Sequence, residues 1–190
     1  MNLYFRLIRV LLGSLFAERR HFSDSVESRF RVLPHDLDAF GHMNNGRYLQ
    51  IMDVARTEWM SQTGIAMAIR KHRWAPLLGG GFVRFRHSLR ILQGYTVNTR
   101  LIGWDQRWFF LEHSFIDDRD RCVAVGITRA ALRKDGIWVS TKTVSEATFP
   151  GATSPAIPDY VEDWIRLENE MYRFGHRSGA AVNSINEVSL

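Results

Sequence analysis

The chain has 190 residues, of which 45% are apolar and 24% charged, a composition typical of a soluble globular protein. A chain of this length can bury one substantial core, so we expect one domain with modest extensions. The single cysteine, Cys122, excludes an internal disulfide, and the formal charge of +5 suits an anionic partner: a nucleic acid, a membrane surface or a phosphorylated ligand.

The first residues form a strongly apolar segment that is interrupted by Arg6 and Arg9. It is too short and too charged to span a membrane, which takes about 20 apolar residues. On a helical wheel the two arginines share a stripe with Asn2 and Gly13, which indicates a helix lying in a membrane interface with its basic side chains toward the headgroups. A helix packed on the domain or on a dimer partner, and a cleaved signal peptide, are the alternatives. We therefore expect a peripheral membrane contact through residues 1–20.

From about residue 27 the pattern is that of a single α+β domain. A short first strand is followed by a helix whose apolar positions recur every 3.6 residues, and then the period changes to two after a run of three glycines. We predict strands at 28–33, 83–91, 95–104, 108–116 and 122–133, a helix at 46–61, and a last edge strand at 137–140. Elements grouped in this way favour a helix laid across an antiparallel sheet.

The chain is expected to have three parts. Residues 1–22 form the amphipathic segment and residues 23–150 the α+β domain. In residues 151–190, Pro158 and Asp159 open a terminal helix, and the small, polar sequence from Gly175 predicts a flexible tail.

Polar side chains are concentrated between the first strand and the helix, from His35 to Tyr48. The start of a helix offers free amide groups and a partial positive charge, which can hold a developing oxyanion. A carboxylate beside these amides can activate water or attack an acyl carbon itself. Asp38 is the candidate carboxylate, and the amides of residues 45–47 are the candidate donors.

Two other interpretations of this segment were weighed. Asp36 and Asp38 can simply accept hydrogen bonds from backbone amides of the turn, while Asn44 or Asn45 caps the helix. The segment also contains ligand types suitable for a metal, but their spacing matches no metal-binding motif, and we expect no metal ion.

The segment reads Asp-x-Asp-x-x-Gly-His-x-Asn-Asn-x-x-Tyr, and the sequence Ala-Arg-Thr-Glu-Trp follows at 55–59 on the predicted helix. This combination resembles the 4-hydroxybenzoyl-CoA thioesterase-like branch of the hotdog superfamily, and it is also similar to the thioesterase superfamily member six proteins of animals. The His-Met-Asn-Asn stretch is also similar to that of the plant acyl-carrier-protein thioesterases. The resemblance covers about residues 27–145 and implies a hotdog fold, in which an antiparallel sheet wraps around a long central helix.

The resemblance also implies roles for individual residues. Asp38 corresponds to the catalytic carboxylate, and the Asn45 amide to the group that polarises the thioester carbonyl. His42 matches a histidine of the plant enzymes and either assists catalysis or orders the loop, although Phe40 replaces an asparagine found there. Glu58 is expected to be structural. Substrate binding is expected from Asn44, Asn45, Gly46 and Tyr48. Arg84, Arg86 and Arg90 share one face of a predicted strand and either hold the phosphates of coenzyme A or form a solvated sheet face.

These observations predict hydrolysis of acyl-CoA or acyl-carrier-protein thioesters without a metal or redox cofactor. The resemblance implies a homodimer or a dimer of dimers, with sites formed across the interface. We expect a cytoplasmic protein, or one bound peripherally to the inner face of a membrane, with a role in lipid metabolism.

Other functions are weighed against this one. A hotdog enoyl hydratase or dehydratase carries its Asp and His five positions apart around a proline, whereas Asp38 and His42 are four apart without one. A non-catalytic protein that binds acyl thioesters or lipids at a membrane stays open. The scattered basic residues disfavour a nucleic-acid partner, and the lack of a Gly-x-Ser-x-Gly elbow disfavours a serine hydrolase.

Overall fold

The computed structural model describes residues 2–14 and 16–187, with side chains from Leu3 to Arg173. Leu15 of the predicted amphipathic segment and residues 188–190 of the predicted tail lie outside the described residues. The chain up to Pro155 forms one compact unit, and the chain from Ala156 onward forms a second.

The first unit contains four helices and six strands among its described residues. The helices are α1 (Asn2–Ser14), α2 (Asn45–Gln62), α3 (Ile65–His72) and α4 (Thr141–Thr148). The strands are β1 (Val26–Arg31), β2 (Ala75–Phe85), β3 (Gly94–Trp104), β4 (Phe109–Asp117), β5 (Cys122–Lys134) and β6 (Ile137–Val139). A single 3₁₀ turn, Pro34–Asp36, follows β1.

All strands belong to one antiparallel sheet with the order β1-β3-β4-β5-β2, and β6 pairs with the end of β5. The predicted α+β class is therefore confirmed, as are the strands that became β1, β3, β4 and β5, each within about two residues. Their ends are marked by turn residues that are easily recognised in a sequence, such as Asp135-Gly136 after β5, where both residues have positive φ.

Helix α2 is the central helix, and its predicted apolar face is the one that is buried. Tyr48, Met52, Ala55 and Trp59 are each 2% exposed or less. The helix approaches β5 closely at Gly126, where a Cβ atom would lie only 2.6 Å from the Met52 Cε atom. The absence of a side chain at Gly126 thus allows the helix to pack directly on the sheet.

The strand predicted at 83–91 is wrong in position, because β2 begins at Ala75 and ends at Phe85. The glycine run lies inside the strand: a Cβ atom on Gly79 would sit 2.2 Å from the Trp108 ring, so glycine is needed where the indole covers the strand. The ladder ends after Phe85 because the amides of Arg86 and His87 both donate to the Val123 carbonyl, at 2.8 and 3.1 Å. The alternation that continues past this point belongs to a loop.

Helix α1 packs on the domain through its basic stripe. Arg6 is buried and donates to the Asp36 carboxylate and to the Arg31 carbonyl, at 2.9 Å to the latter. Arg9 donates to the Arg29 carbonyl at 2.5 Å. These carbonyls lie on the outer edge of β1, so α1 covers one edge of the sheet.

The expected orientation of α1, with its arginines toward lipid headgroups, is therefore wrong. The outer face is instead apolar and exposed. It consists of Tyr4, Phe5, Ile8, Leu11 and Leu12, and Phe16 follows the helix. In the part of the chain that the structure describes, no helix is long and apolar enough to cross a membrane.

The second unit contains helix α5 (Asp159–Glu187), which begins at the predicted position. The Pro158 carbonyl accepts from the Val161 amide at 2.9 Å, and Asp159 and Glu162 place negative charge in the first turn, where the helix dipole favours it. The helix continues through Gly175.

Candidate active site

The segment between β1 and α2 folds back on itself as a short hairpin. Leu37 pairs with Met43, and the Asp38 amide donates to the His42 carbonyl at 2.8 Å. His42 pairs in turn with Arg90, in the loop after β2. The hairpin is therefore held from both sides by backbone hydrogen bonds.

Asp36 anchors the start of this hairpin. Its side chain is 1% exposed and accepts hydrogen bonds from Arg6 and from the Leu33 amide at 2.9 Å. Its carbonyl accepts from the Asn44 amide at 2.8 Å. Asp36 thus joins α1, the end of β1 and the start of α2, a wider structural role than the turn contacts expected of it.

The carboxylate of Asp38 is held by only one of its oxygens. Oδ1 accepts from the amides of Phe40 and His42, at 2.8 and 3.2 Å, across a tight turn in which Gly41 has a φ of 78°. Oδ2 has no hydrogen-bond partner among the residues that the structure describes. The turn therefore fixes the direction of the carboxylate and leaves one oxygen available.

The start of α2 leaves one amide available as well. Asn44 is the N-cap: its Oδ1 atom accepts from the Gly46 amide at 2.8 Å and its carbonyl from the Arg47 amide at 2.9 Å. Gly46 makes room for this cap, because a Cβ there would lie 3.2 Å from the Asn44 oxygen. Within the described chain the Asn45 amide meets no acceptor. Two of the three predicted donors are thus occupied, and Asn45 is the free one.

A cavity of about 450 Å³ brings these groups together. Of the predicted site residues it is lined by Asp38, His42, Asn45, Tyr48 and Arg86, together with Phe40 and Met43 of the hairpin and the segment 85–88 at the end of β2. Asn44, Gly46 and Arg84 do not line it, and Arg84 is exposed on β2. His87 and Ser88 were missed, because they were assigned to a strand rather than to the loop that faces the hairpin.

Tyr48 forms a buried wall of this cavity. Its ring centroid lies 5.0 Å from that of Phe85 and 5.0 Å from that of Phe115. Burial raises the pKa of the Tyr48 hydroxyl, which is therefore protonated at neutral pH and unsuited to act as a base.

Two further cavities adjoin the same elements. An open cleft of about 660 Å³ shares His42, His87 and Ser88 with the first cavity and continues to Arg90, Arg119 and Arg121. An apolar cavity of about 310 Å³ lies farther along α2, against β2, β4 and β5, with Leu77, Leu78 and Phe109 in its wall.

Three polar contacts in the interior are structural. The Ser28 hydroxyl donates to the Glu58 carboxylate at 2.6 Å, in agreement with the structural role expected of Glu58. His113, which sequence reasoning passed over, lies between the hydroxyls of Thr99 and Thr128, at 3.0 and 3.1 Å. Burial lowers the pKa of His113 to about 3, so the ring is neutral.

Among the described side chains, no three His, Cys, Asp or Glu residues lie close enough to bind one metal ion.

Comparison with known proteins identifies relatives of this chain. Residues 32–165 match the model of the thioesterase-like superfamily. The chain is 32% identical over 158 residues to Protein THEM6 of Xenopus laevis, a match that covers 82% of this chain and 75% of that protein.

Solved structures of low sequence identity share the fold. One is a gentisyl-coenzyme A thioesterase, with a TM-score of 0.55 and 21% identity over 65% of this chain and 98% of that one. Another is a hypothetical protein of Staphylococcus aureus in complex with CoA, with a TM-score of 0.59 and 11% identity over 73% and 94% of the two chains. The hotdog fold is thereby confirmed, and the chain belongs to the thioesterase-like superfamily.

Proposed function

We propose that this protein hydrolyses acyl-CoA thioesters in the cavity between the hairpin and α2. One observation carries the proposal: the free oxygen of Asp38 and the free amide of Asn45 belong to residues that line the same cavity. A general base or nucleophile and an oxyanion donor are the two groups that acyl transfer requires.

In the proposed reaction the carbonyl oxygen of the thioester accepts a hydrogen bond from the Asn45 amide. The positive end of the α2 dipole stabilises the charge that develops on this oxygen. Asp38 either removes a proton from the attacking water or attacks the acyl carbon itself, forming an anhydride that water then hydrolyses. In both routes the C–S bond breaks, the thiolate leaves and is protonated, and the products are a carboxylic acid and free CoA.

A second candidate is a non-catalytic protein that binds acyl thioesters at a membrane. The contacts of Asp38 Oδ1 with the turn amides favour it, because an aspartate can be retained for its turn alone. The exposed apolar face of α1 fits such a protein equally well.

A panel of acyl-CoAs distinguishes the two candidates. Short, medium and long aliphatic chains and aromatic acyl groups are incubated with the protein, and free thiol is measured. We expect turnover of at least one member, and turnover of that member by the Asp38→Asn variant should be lower by about 10²–10⁴-fold. Binding of acyl-CoA by calorimetry without any thiol release would support the non-catalytic candidate instead.

We further propose that two copies pair through β2. This strand pairs only with β5, so its other edge is open in the described chain, whereas the edge of β1 is covered by α1. Leu77, Leu78 and Phe82 on this strand are 38 to 49% exposed. An open edge with exposed apolar side chains is suited to antiparallel pairing with a second copy. Since Phe85 of the same strand lines the candidate site, the second copy would border that site.

We also propose that the outer face of α1 lies on an anionic membrane surface, peripherally and on the cytoplasmic side. Five large apolar side chains of the helix are 44 to 71% exposed, and Phe16 is 90% exposed. Arg19 and Arg20 come a few residues after Phe16 in the chain. They are also exposed and can reach anionic headgroups. The unpaired Cys122 is compatible with a reducing compartment.

A further inference from the structure

The open cleft beside the candidate site has an arginine-rich lining. Arg90 comes from the loop after β2, while Arg119 and Arg121 come from the turn between β4 and β5. Asp118 is the one acidic residue of the lining, and its carboxylate accepts from the Gln93 amide group at 3.1 Å. Two segments distant in sequence thus bring positive charge to one place.

The charge in the cleft comes mainly from two of the arginines. Arg121 is paired, because its Nε and Nη2 atoms both donate to Asp117 Oδ2, at 3.0 and 2.7 Å. Burial raises the pKa of Asp117, but the hydrogen bonds from Arg121 and from the Arg119 amide outweigh this effect and hold the pKa below its ordinary value. The side chains of Arg90 and Arg119 have no hydrogen-bond partner among the described residues and remain available to an anion.

The cleft is continuous with the candidate site through His42. The His42 carbonyl accepts a hydrogen bond from the Asp38 amide within the hairpin, and His42 also forms a backbone bridge with Arg90. Antiparallel partners lie about 5 Å apart at their Cα atoms, so the cleft begins next to the hairpin that carries Asp38. A ligand whose reacting carbon lies at Asp38 can therefore extend past His42 toward the arginines.

The turn after Arg90 adds an apolar surface to the lining of the cleft. Ile91 and Leu92 are 48% and 56% exposed, and Leu92 has a φ of 60°, which is unusual for a leucine. The turn is held by β1: the Leu92 amide donates to the Val32 carbonyl at 2.9 Å, and its carbonyl accepts from Arg31 at 2.7 Å. Two apolar side chains are thus fixed at the surface beside unpaired cations.

We propose that this cleft binds the phosphorylated adenosine end of coenzyme A, with Arg90 and Arg119 on its phosphates and the adenine ring over Ile91 and Leu92. The inference rests on the proposed function and sharpens it, since it favours CoA over a carrier protein, whose phosphopantetheine arm carries no adenosine. In this proposal the phosphates of coenzyme A contact Arg90 and Arg119, and Arg84 does not take part. Guanidinium groups suit this task because they donate paired hydrogen bonds to phosphate.

The test compares two substrates that carry the same acyl group, one on CoA and one on pantetheine, which lacks the nucleotide. For the double variant Arg90→Ala/Arg119→Ala we expect the KM for acyl-CoA to rise about tenfold or more, because charge-assisted contacts are lost. The kcat for acyl-CoA and both constants for acyl-pantetheine should stay within twofold of the wild type. Arg70→Ala/Lys71→Ala, an exposed basic pair on α3, is the matched control and should change neither substrate.

Three results would overturn the inference. They are an unchanged KM for acyl-CoA in the double variant, an equal rise for both substrates, and a wild type that uses acyl-pantetheine or an acyl-carrier protein as well as acyl-CoA. If the wild type hydrolyses nothing, the proposed function fails by itself. CoA alone is then titrated by calorimetry: loss of binding in the double variant but not in the control supports the cleft, and equal binding by all three proteins excludes it.

Discussion

Arg6 of α1 donates to both carboxylate oxygens of Asp36, from Nη1 to Oδ1 at 3.2 Å and from Nη2 to Oδ2 at 2.5 Å. The side chains are 9% and 1% exposed, so the pair lies inside the protein. Because Asp36 also holds the amides of Leu33 and Asn44, this pair connects the outermost helix to the hairpin that carries Asp38.

Removing one member of this pair should be costly. Arg6→Ala leaves the buried Asp36 charge without its main partner, and we expect the free energy of unfolding to fall by about 3–5 kcal/mol. Arg9→Ala is the matched control, because Arg9 is exposed and loses one carbonyl contact and a cation–π contact with Phe30, together worth about 1–2 kcal/mol. Urea denaturation measures both. Equal losses in the two variants would show that the Arg6–Asp36 pair does not hold the hairpin.

The neutral His113 predicts a loss of stability in acid. Its pKa is about 3 in the folded protein, below the ordinary value of 6.5. Above pH 6.5 the ring is neutral in both states; as the pH falls toward 3, the unfolded chain takes up a proton that the folded chain does not. The free energy of unfolding should therefore fall through this window, by at most about 1.4 kcal/mol per pH unit from this group.

Denaturation curves between pH 7 and pH 4 test this prediction. The slope of the free energy of unfolding against pH should be smaller for His113→Gln than for the wild type, by the contribution of one proton. This holds whatever the stability of the variant at pH 7. Val123→Ala, a core variant without a titratable group, should keep the wild-type slope. A His113→Gln slope equal to that of the wild type would contradict a neutral, buried His113.

Membrane binding is predicted to depend on the outer face of α1. Replacing Phe5 and Leu12 by serine removes apolar surface without touching Arg6 or Val10, which are buried on the other face. Flotation with anionic vesicles should show the wild type bound and the double variant mostly free. Ile137→Ser, at an apolar residue that is 73% exposed elsewhere, should bind like the wild type. Equal flotation of all three proteins would rule out this face.

Pairing through β2 is predicted to require Phe82. A glutamate there would place charge at the open edge, and charge is a common protection of edge strands against pairing. Analytical ultracentrifugation should show a dimer for the wild type and for Ile137→Glu, and a monomer for Phe82→Glu. A monomeric wild type at micromolar concentration would reject the pairing.

The sequence was sufficient for the features whose signals are local. The helical period of Tyr48, Met52 and Trp59 placed α2 and its buried face, and the motif containing Asp38 placed the candidate site. The position of β2 was not predictable in this way, because Gly79 is explained only by Trp108, almost thirty residues later.

The orientation of α1 and the arginine cleft depend on contacts between distant segments. A helical wheel shows that Arg6 and Arg9 share a face, but only the buried Asp36 decides that this face is turned inward. Similarly, Arg90 and Arg119 are brought together by the loop after β2 and the β4–β5 turn, and no spacing in the sequence records that contact.

The central claim is that Asp38 performs the chemistry, and kcat/KM of Asp38→Asn for the best acyl-CoA of the panel tests it most directly. Asparagine keeps an oxygen for the amides of Phe40 and His42, so the turn should stay intact, and an unchanged denaturation curve confirms that it does. We predict a loss of kcat/KM of about 10²–10⁴-fold, the usual contribution of a general base. A folded Asp38→Asn variant with kcat/KM within threefold of the wild type would contradict the account.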